Sequence, residues 1–260
     1  MDEVERILPT SQDPKEKVEE FNAFFGAMRV LSQQKRNLAL LIADVHPDCN
    51  RINNWSQEGV PTNPVFNFFK EIFLYPFTEQ ETIEMLTGLG NLMGLEFDQK
   101  TPREIHKESG GHPYIARQLA HFVVSSLPRD SQEVLQWSIE RELWINLLFE
   151  NDELSNYFDA SIWNDLEKRG FESAMKILNV IAANETASRG VEEKFLLAKL
   201  SDCCSKYSCY KAIKWLLEVG LLDKKQGTNN RVYRIKVPHF LRWLQIIKMS
   251  EKELQKWQIK

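Results

Sequence analysis

From residue 171 onward, helix and strand signals follow one another in a fixed order, and this order constrains the fold more than any single motif. Apolar side chains at helical spacing predict helices over about 172–183, 191–200 and 205–218. Gly220 follows the third helix as a C-cap, because glycine tolerates the left-handed conformation in which helices commonly end. The segment therefore begins as three short helices closed by a glycine.

A strand pair follows these helices. Residues 221–225 alternate toward a turn at 227–230, and residues 231–237 return with branched and aromatic side chains. Three helices followed by a two-stranded hairpin is the element order of a winged helix-turn-helix. We predict this module over residues 171–247, with a tail at 248–260.

Start and stop signals predict a run of helices before this module. Thr78 and Glu81 make a capping box for the first helix. Thr101 with the proline after it starts the second, and Pro113 starts the third. Further apolar faces predict helices over about 130–149 and 152–169.

The first part of the chain reads as mixed α/β. Residues 14–34 place apolar side chains on one face of a helix. Residues 38–43 are wholly apolar and end at Asp44, which is typical of a strand buried on both faces of a parallel sheet. Residues 72–75 form a second strand candidate. We therefore predict a mixed α/β chain, mostly helical, with part of a parallel sheet near its start.

Composition narrows the class of protein. With 260 residues, 43% of them hydrophobic, the chain can bury a sizeable core. No apolar run approaches the roughly 18 residues that a membrane span needs, and no signal peptide is recognisable, so we expect a soluble cytoplasmic protein without a membrane partner. The net charge of −4 conceals an asymmetry: residues 171–260 hold 17 Lys and Arg against 9 Asp and Glu. A basic module therefore follows an acidic one, which suggests two tasks or two partners.

Three of the four cysteines cluster at Cys203, Cys204 and Cys209. Their spacing contains no CxxC pair, and no histidine lies near them. We interpret them as buried helical thiols rather than as metal ligands.

Several segments resemble, in order, the second half of the nucleotide-binding domain in STAND-type ATPases, which are relatives of the AAA+ class of P-loop NTPases. These are "DEVERILP", "EFNAFFGAMRVLSQ", "LALLIADVHPDCNR", "NPVFNFFKEIFLYPFTEQETIEML" and "ESGGHPYIARQL". The stretch "VYRIKVPHFLRWLQ" is similar to the end of the winged helix that follows in such proteins. The resemblance implies a partial nucleotide-binding core over 1–76, a helical lid over 77–128 and a helical connector over 129–170.

By the same resemblance, the chain would use ATP and Mg²⁺. Asp2 would be the magnesium-associated carboxylate and Glu3 the catalytic group that activates the attacking water. Asp44 lies at the sensor position, where the family more often has Asn, Ser, Thr or Arg. An acid that faces the γ-phosphate would be repelled unless magnesium or a base intervenes.

The lid would supply the remaining cofactor-binding residues. Gly111 and Pro113 match the family's Gly-x-Pro signature, which lies near the adenine. Arg117, one helical turn further on, would reach a phosphate, or it would be an exposed lid arginine.

A phosphate-binding loop is missing from these 260 residues. Such a loop needs the pattern G-x-x-x-x-G-K-[ST], and none of the 11 glycines is followed by a lysine. We expect no ATP hydrolysis by this chain alone. Two interpretations remain: a truncated fragment or split-gene product that needs its missing N-terminal half, or a naturally shortened protein that kept the lid and winged helix to bind a protein partner.

The basic C-terminal module offers an alternative function, the binding of DNA. A winged helix places its third helix in the major groove and its hairpin on the backbone. The candidate contacts are Lys206, Lys211 and Lys214 on the third helix, and Lys224, Lys225 and Arg231 on the hairpin. Internal packing or regulation of the lid is the other interpretation of the same module.

Overall fold

The computed structural model describes residues 7, 9, 13–36, 38–43, 69–70, 72–125, 152–168, 171–226 and 230–249. The chain divides into two compact units, Met1–Leu74 and Tyr75–Lys260. Asp2, Glu3 and Asp44 lie outside the described residues, as do residues 45–68 and 126–151.

The described part of the first unit is dominated by one helix. This helix, α1, spans Lys15–Arg29 and continues as a π-helical turn over Val30–Gln34, as the sequence predicts. Pro14 takes the N-cap position in an extended conformation, and Val18 and Phe25 are buried. Asp13 pairs with Lys17 at 2.8 Å.

The strands predicted in this region are not found. Residues 38–43 and the described residues of 72–75 have no regular secondary structure, and Leu41 and Leu74 are 80% and 94% exposed. A parallel strand needs hydrogen-bonded neighbours and a covering layer on each face. The described residues supply neither, so the expected parallel sheet does not appear among them.

The second unit begins with three helices, α2 (Glu79–Leu92), α3 (Thr101–Ser109) and α4 (Pro113–Ser125). The capping box predicted for α2 is confirmed. The Glu81 amide donates to Thr78 Oγ1 at 3.3 Å, and the Thr78 amide donates to a Glu81 carboxylate oxygen at 2.7 Å. The Thr78 amide and hydroxyl both donate to the Glu81 carboxylate and so lower the pKa of Glu81. The box begins the helix at a defined residue.

A broken helix follows. It consists of α5 (Asp152–Tyr157), a π-helical segment over Phe158–Trp163, and α6 (Asn164–Lys168). Phe158 and Trp163 are buried in the π-helical segment.

The last part of the chain combines helices with a small sheet. The elements are α7 (Glu172–Ala182), β1 (Val191–Glu192), α8 (Glu193–Leu200), α9 (Lys206–Glu218), β2 (Leu222–Gln226), β3 (Arg231–Ile235) and α10 (Pro238–Trp243), which continues as a π-helical turn over Leu244–Lys248. The sheet is antiparallel in the order β1-β3-β2.

The strand β1 differs from the helix that the sequence predicts over 191–200. Val191 pairs with Tyr233, and α8 begins only at Glu193. Gly190 makes this pairing feasible, because its φ is +103° and a Cβ at this position would lie 2.6 Å from a Val232 methyl group. The backbone can therefore approach β3 closely enough to add a third strand.

One hydrophobic core connects the described elements of the second unit. It includes buried side chains from α2, α3 and α4, from the broken helix, and from both the helices and the sheet of the last part, such as Leu86, Ile105, Phe158, Leu216 and Trp243. These elements therefore fold as one body.

Candidate functional site

Two consecutive glycines form the turn between α3 and α4. Gly110 has φ +60° and Gly111 has φ +78°, a region that other residues rarely adopt. A Cβ at Gly110 would lie 2.5 Å from the Lys236 carbonyl oxygen, and one at Gly111 would overlap the Phe77 carbonyl oxygen. The Phe77 amide donates to the Gly111 carbonyl at 2.8 Å. The turn thus joins the segment before α2 to the segment after β3.

A cavity of about 580 Å³ lies beside this turn. The charged side chains in its wall are Lys107, Arg234, Lys236, Glu79 and Asp223. Arg234 donates two hydrogen bonds to Asp223, at 3.0 and 2.7 Å. Three cations against two carboxylates make the wall more favourable to an anionic than to a cationic ligand.

His106 lines the same cavity and is held by α2. Its Nδ1 lies 2.9 Å from the Thr82 hydroxyl, which is itself 3.1 Å from the Thr78 carbonyl oxygen. Because a hydroxyl has one proton and that carbonyl can only accept, the arrangement favours Nδ1–H as the donor to Thr82. Burial lowers the pKa of His106, while the charge of Glu79 opposes this shift. A neutral imidazole at physiological pH follows.

His112, the middle residue of the Gly-x-Pro signature, faces the broken helix. Its Nε2 lies 3.3 Å from the Tyr157 hydroxyl, and Tyr157 packs against Tyr114 at a ring distance of 4.7 Å. Burial lowers the pKa of His112 and raises that of Tyr157. His112 therefore connects the turn to α5 as a neutral side chain.

The structure separates the predicted lid residues. Gly111 lies in the turn and Pro113 starts α4, whereas Arg117 lines a different groove of about 380 Å³. That groove is largely apolar, with Leu86 and Phe97 in its wall. The grouping of Gly111, Pro113 and Arg117 around one nucleotide, together with the acid pair, stays a prediction.

The predicted nucleic-acid contacts of the third helix lie on one exposed surface. Lys206, Tyr207, Lys211 and Lys214 are all exposed on α9, and we call them the basic face of α9. Lys206 Nζ lies 5.9 Å from the centre of the Tyr210 ring. The opposite side of α9 is buried in the core, so this face is available for contact.

The hairpin contributes fewer free cations than the sequence suggests. Lys224 and Lys225 are exposed on β2, an outer strand of the small sheet. Arg231 lies 3.6 Å from a Glu193 carboxylate oxygen, and that oxygen also accepts a 2.8 Å hydrogen bond from the Tyr233 hydroxyl. Arg231 is therefore partly engaged with the first residue of α8.

Two contacts between distant segments had no signal in the sequence. Arg242 of α10 forms a bidentate ion pair with Glu108 of α3. The indole N–H of Trp243 donates to the Ser155 hydroxyl at 3.1 Å. The first contact ties α10 to α3 just before the Gly110–Gly111 turn, and the second ties α10 to α5.

Two searches of the described residues concern metal ligands and membrane-spanning helices. No group of three or more His, Cys, Asp or Glu residues there could hold a metal ion. No helix among the described residues has the length and apolar character needed to cross a membrane.

Comparison with known proteins shows a similarity in fold to a solved structure. The chain is similar to a solved structure described as the Walker-type ATPase PABY2304 of Pyrococcus abyssi, with a TM-score of 0.57 and 14% sequence identity. The similarity covers 94% of this chain and 62% of that one, so this chain spans less than two thirds of its length. No protein-family model and no curated protein matches the sequence. The chain thus shares the fold of part of a Walker-type ATPase.

Proposed function

We propose that this chain is the C-terminal portion of an ATP-dependent regulatory switch of the STAND type, with part of the nucleotide-binding core, the helical lid and the winged helix. The similarity in fold to a Walker-type ATPase supports the ATPase relationship. The element order α7, β1, α8, α9, β2, β3 supports a winged helix in the last part of the chain. The proposed lid is formed by α2, α3 and α4.

The Gly110–Gly111 turn is the observation that carries this proposal. It lies in the proposed lid and contains the glycine of the Gly-x-Pro signature, and its backbone contacts both Phe77 and Lys236. A nucleotide that repositions the lid would move this turn, and with it the segment that leads from β3 into α10. Nucleotide state could thereby reach the winged helix through a direct backbone contact.

In this proposal Asp2 would associate with Mg²⁺ and Glu3 would polarise the attacking water. The chain carries no G-x-x-x-x-G-K-[ST] loop to hold the phosphates. A protein partner, or a missing N-terminal half, would therefore have to supply that loop. By itself, this chain would not hydrolyse ATP.

An ATPase assay tests this directly. Purified chain with ATP and Mg²⁺ should release phosphate no faster than its Glu3→Gln variant, because the γ-phosphate is not held for in-line attack. Chelation of Mg²⁺ should change neither rate. Magnesium-dependent turnover by the parent chain that disappears in Glu3→Gln would contradict the proposal.

Duplex DNA binding is the second candidate function, favoured by the basic face of α9. Its lysines point away from the core next to an exposed tyrosine, and Lys224 and Lys225 extend the positive charge onto β2. Among the described residues, the only ion pair on this face joins Lys214 to Glu218, at 3.9 Å. Exposed lysines of this kind contribute phosphate contacts whose strength depends on salt.

A titration of labelled duplex at several salt concentrations tests this candidate. Lys211→Ala combined with Lys214→Ala should weaken binding and lower the slope of log K against log salt by roughly 2, since each phosphate contact contributes about 0.9. The matched control is Lys15→Ala with Lys35→Ala, which removes two lysines from the first unit. Unchanged affinity and slope in the α9 variant would exclude recognition by this helix.

A further inference from the structure

Three thiols surround the turn that precedes α9. Ser205 is the N-cap of this helix, and its hydroxyl accepts a 3.1 Å hydrogen bond from the Ser208 amide. Cys203 and Cys204 come directly before the cap, and Cys209 lies one turn inside the helix. None of the three is in a disulfide.

The cap places Cys204 and Cys209 at two positions of the helix start whose side chains commonly meet. With Ser205 as N-cap, Cys204 occupies N′ and Cys209 occupies N4. Side chains at these two positions commonly pack against each other and set the angle at which the chain approaches the helix. Burial raises the pKa of Cys209, and the charge and hydrogen bond of the adjacent Cys204 thiol raise it further. Two thiols therefore replace the usual apolar pair.

The three cysteines differ in their access to solvent. Cys203 is exposed, Cys204 is half-buried and Cys209 is buried. The Sγ atoms of Cys203 and Cys204 are 4.0 Å apart. Adjacent residues have Cα atoms about 3.8 Å apart, which is shorter than the roughly 4.4–6.8 Å usual for a disulfide. The short Cα spacing therefore disfavours a bond between Cys203 and Cys204, whereas Cys209, five residues after Cys204, is free of this restriction.

We propose that Cys204 and Cys209 form an oxidisable dithiol that closes to a disulfide by exchange with a small-molecule disulfide. The Cys204 thiolate attacks one sulfur of the oxidant, forming a mixed disulfide and releasing one small thiol. The Cys209 thiolate then attacks the Cys204 sulfur and releases the second. The two protein thiols lose two electrons and two protons, and the small disulfide is reduced to two thiols.

This bond would lock the start of α9 to the turn before it. In the reduced protein, side-chain packing and the Ser205 cap set the angle at which the chain enters α9. In the oxidised protein a covalent bond would fix it, next to Lys206 at the start of the basic face. The inference is independent of ATP binding and of DNA binding.

Peptide mapping of the purified full chain after treatment with oxidised glutathione tests the proposal. Free thiols are alkylated, and the protein is digested with trypsin without reduction. Cleavage after Lys199, Lys206 and Lys211 places Cys203 and Cys204 in one peptide and Cys209 in the next. We expect a disulfide-linked pair of these peptides. Two of the four thiols should then no longer react with the alkylating agent, and no glutathione should remain on the protein.

Single variants identify the bond. Cys204→Ser should abolish the linked pair, whereas Cys203→Ser and the control Cys49→Ser should retain it. Circular dichroism checks that Cys204→Ser, a change at a half-buried position, remains folded. The proposal is overturned if the linked pair persists in Cys204→Ser, if Cys203 keeps glutathione while Cys204 and Cys209 are alkylated, or if the bond joins two chains.

Discussion

His239 shows how one buried side chain makes the stability of the second unit depend on pH. It is fully buried at the start of α10, and its ring lies 6.0 Å from that of Phe158. Burial, and then the nearby charge of Arg242, lower its pKa from 6.5 to about 3. The folded protein thus holds His239 neutral, whereas the unfolded chain protonates it in mild acid.

We predict that the unfolding free energy falls as the pH falls from about 6.5 toward 3. In this range the unfolded state binds a proton at His239 and the folded state does not, so acid favours unfolding. At pH 5 the loss from this group is about 2 kcal/mol relative to neutral pH. Urea unfolding at pH 7 and pH 5 measures this change in unfolding free energy.

A substitution assigns this pH dependence to His239. In His239→Gln, the difference in unfolding free energy between pH 7 and pH 5 should be smaller by about 2 kcal/mol than in the parent chain. This holds whatever the absolute stability of the variant. His121→Gln, at an exposed position of α4, is the matched control and should leave the difference unchanged. An equal difference in both variants would show that His239 is not the responsible group.

At the scale of the element, local chemistry made most helices and the hairpin predictable. Thr78, Pro113 and Ser205 each stand at or next to a helix start, because caps and prolines act on a few neighbouring residues. The pairing of β2 with β3 was also predictable, since one short turn connects alternating segments.

Elements that depend on distant partners were predicted poorly. The apolar run over 38–43 predicted a strand, but strands need neighbours, and the described residues provide none. The strand β1 was missed because two residues give no alternation, and only the approach of Gly190 to β3 reveals it. Sequence pattern alone could not decide either case.

In the candidate site, too, features set by neighbouring residues were predictable and features set by distant packing were not. The turn at Gly110 and Gly111 was predictable, because two glycines before a proline mark a helix end and a helix start. The placement of Arg117 in a separate groove was not, since it depends on how α2 packs against α4. The ion pair of Glu108 with Arg242 spans most of the second unit in sequence and leaves no local pattern.

At the scale of the whole molecule, this ion pair connects the proposed lid to the last helix across a shared core. The carboxylate of Glu108 and the guanidinium of Arg242 are 19% and 34% exposed, and their contact is bidentate. Charge-assisted pairs of this geometry are stronger than single surface contacts. Breaking the pair should therefore weaken the second unit as a whole rather than one helix of it.

A double-mutant cycle with Glu108→Gln and Arg242→Gln measures this connection. We expect a coupling energy of about 1 kcal/mol, because the pair is partly screened by solvent but geometrically well matched. Helical circular dichroism and tryptophan fluorescence should report the same shifted urea midpoint, because α3 and α10 share one core. Glu172→Gln with Lys176→Gln, an exposed pair within α7 at 3.3 Å, is the control and should couple by about 0.5 kcal/mol or less. A coupling energy no larger than in this control, or separate midpoints for the two probes, would show that the lid and the last helix respond independently.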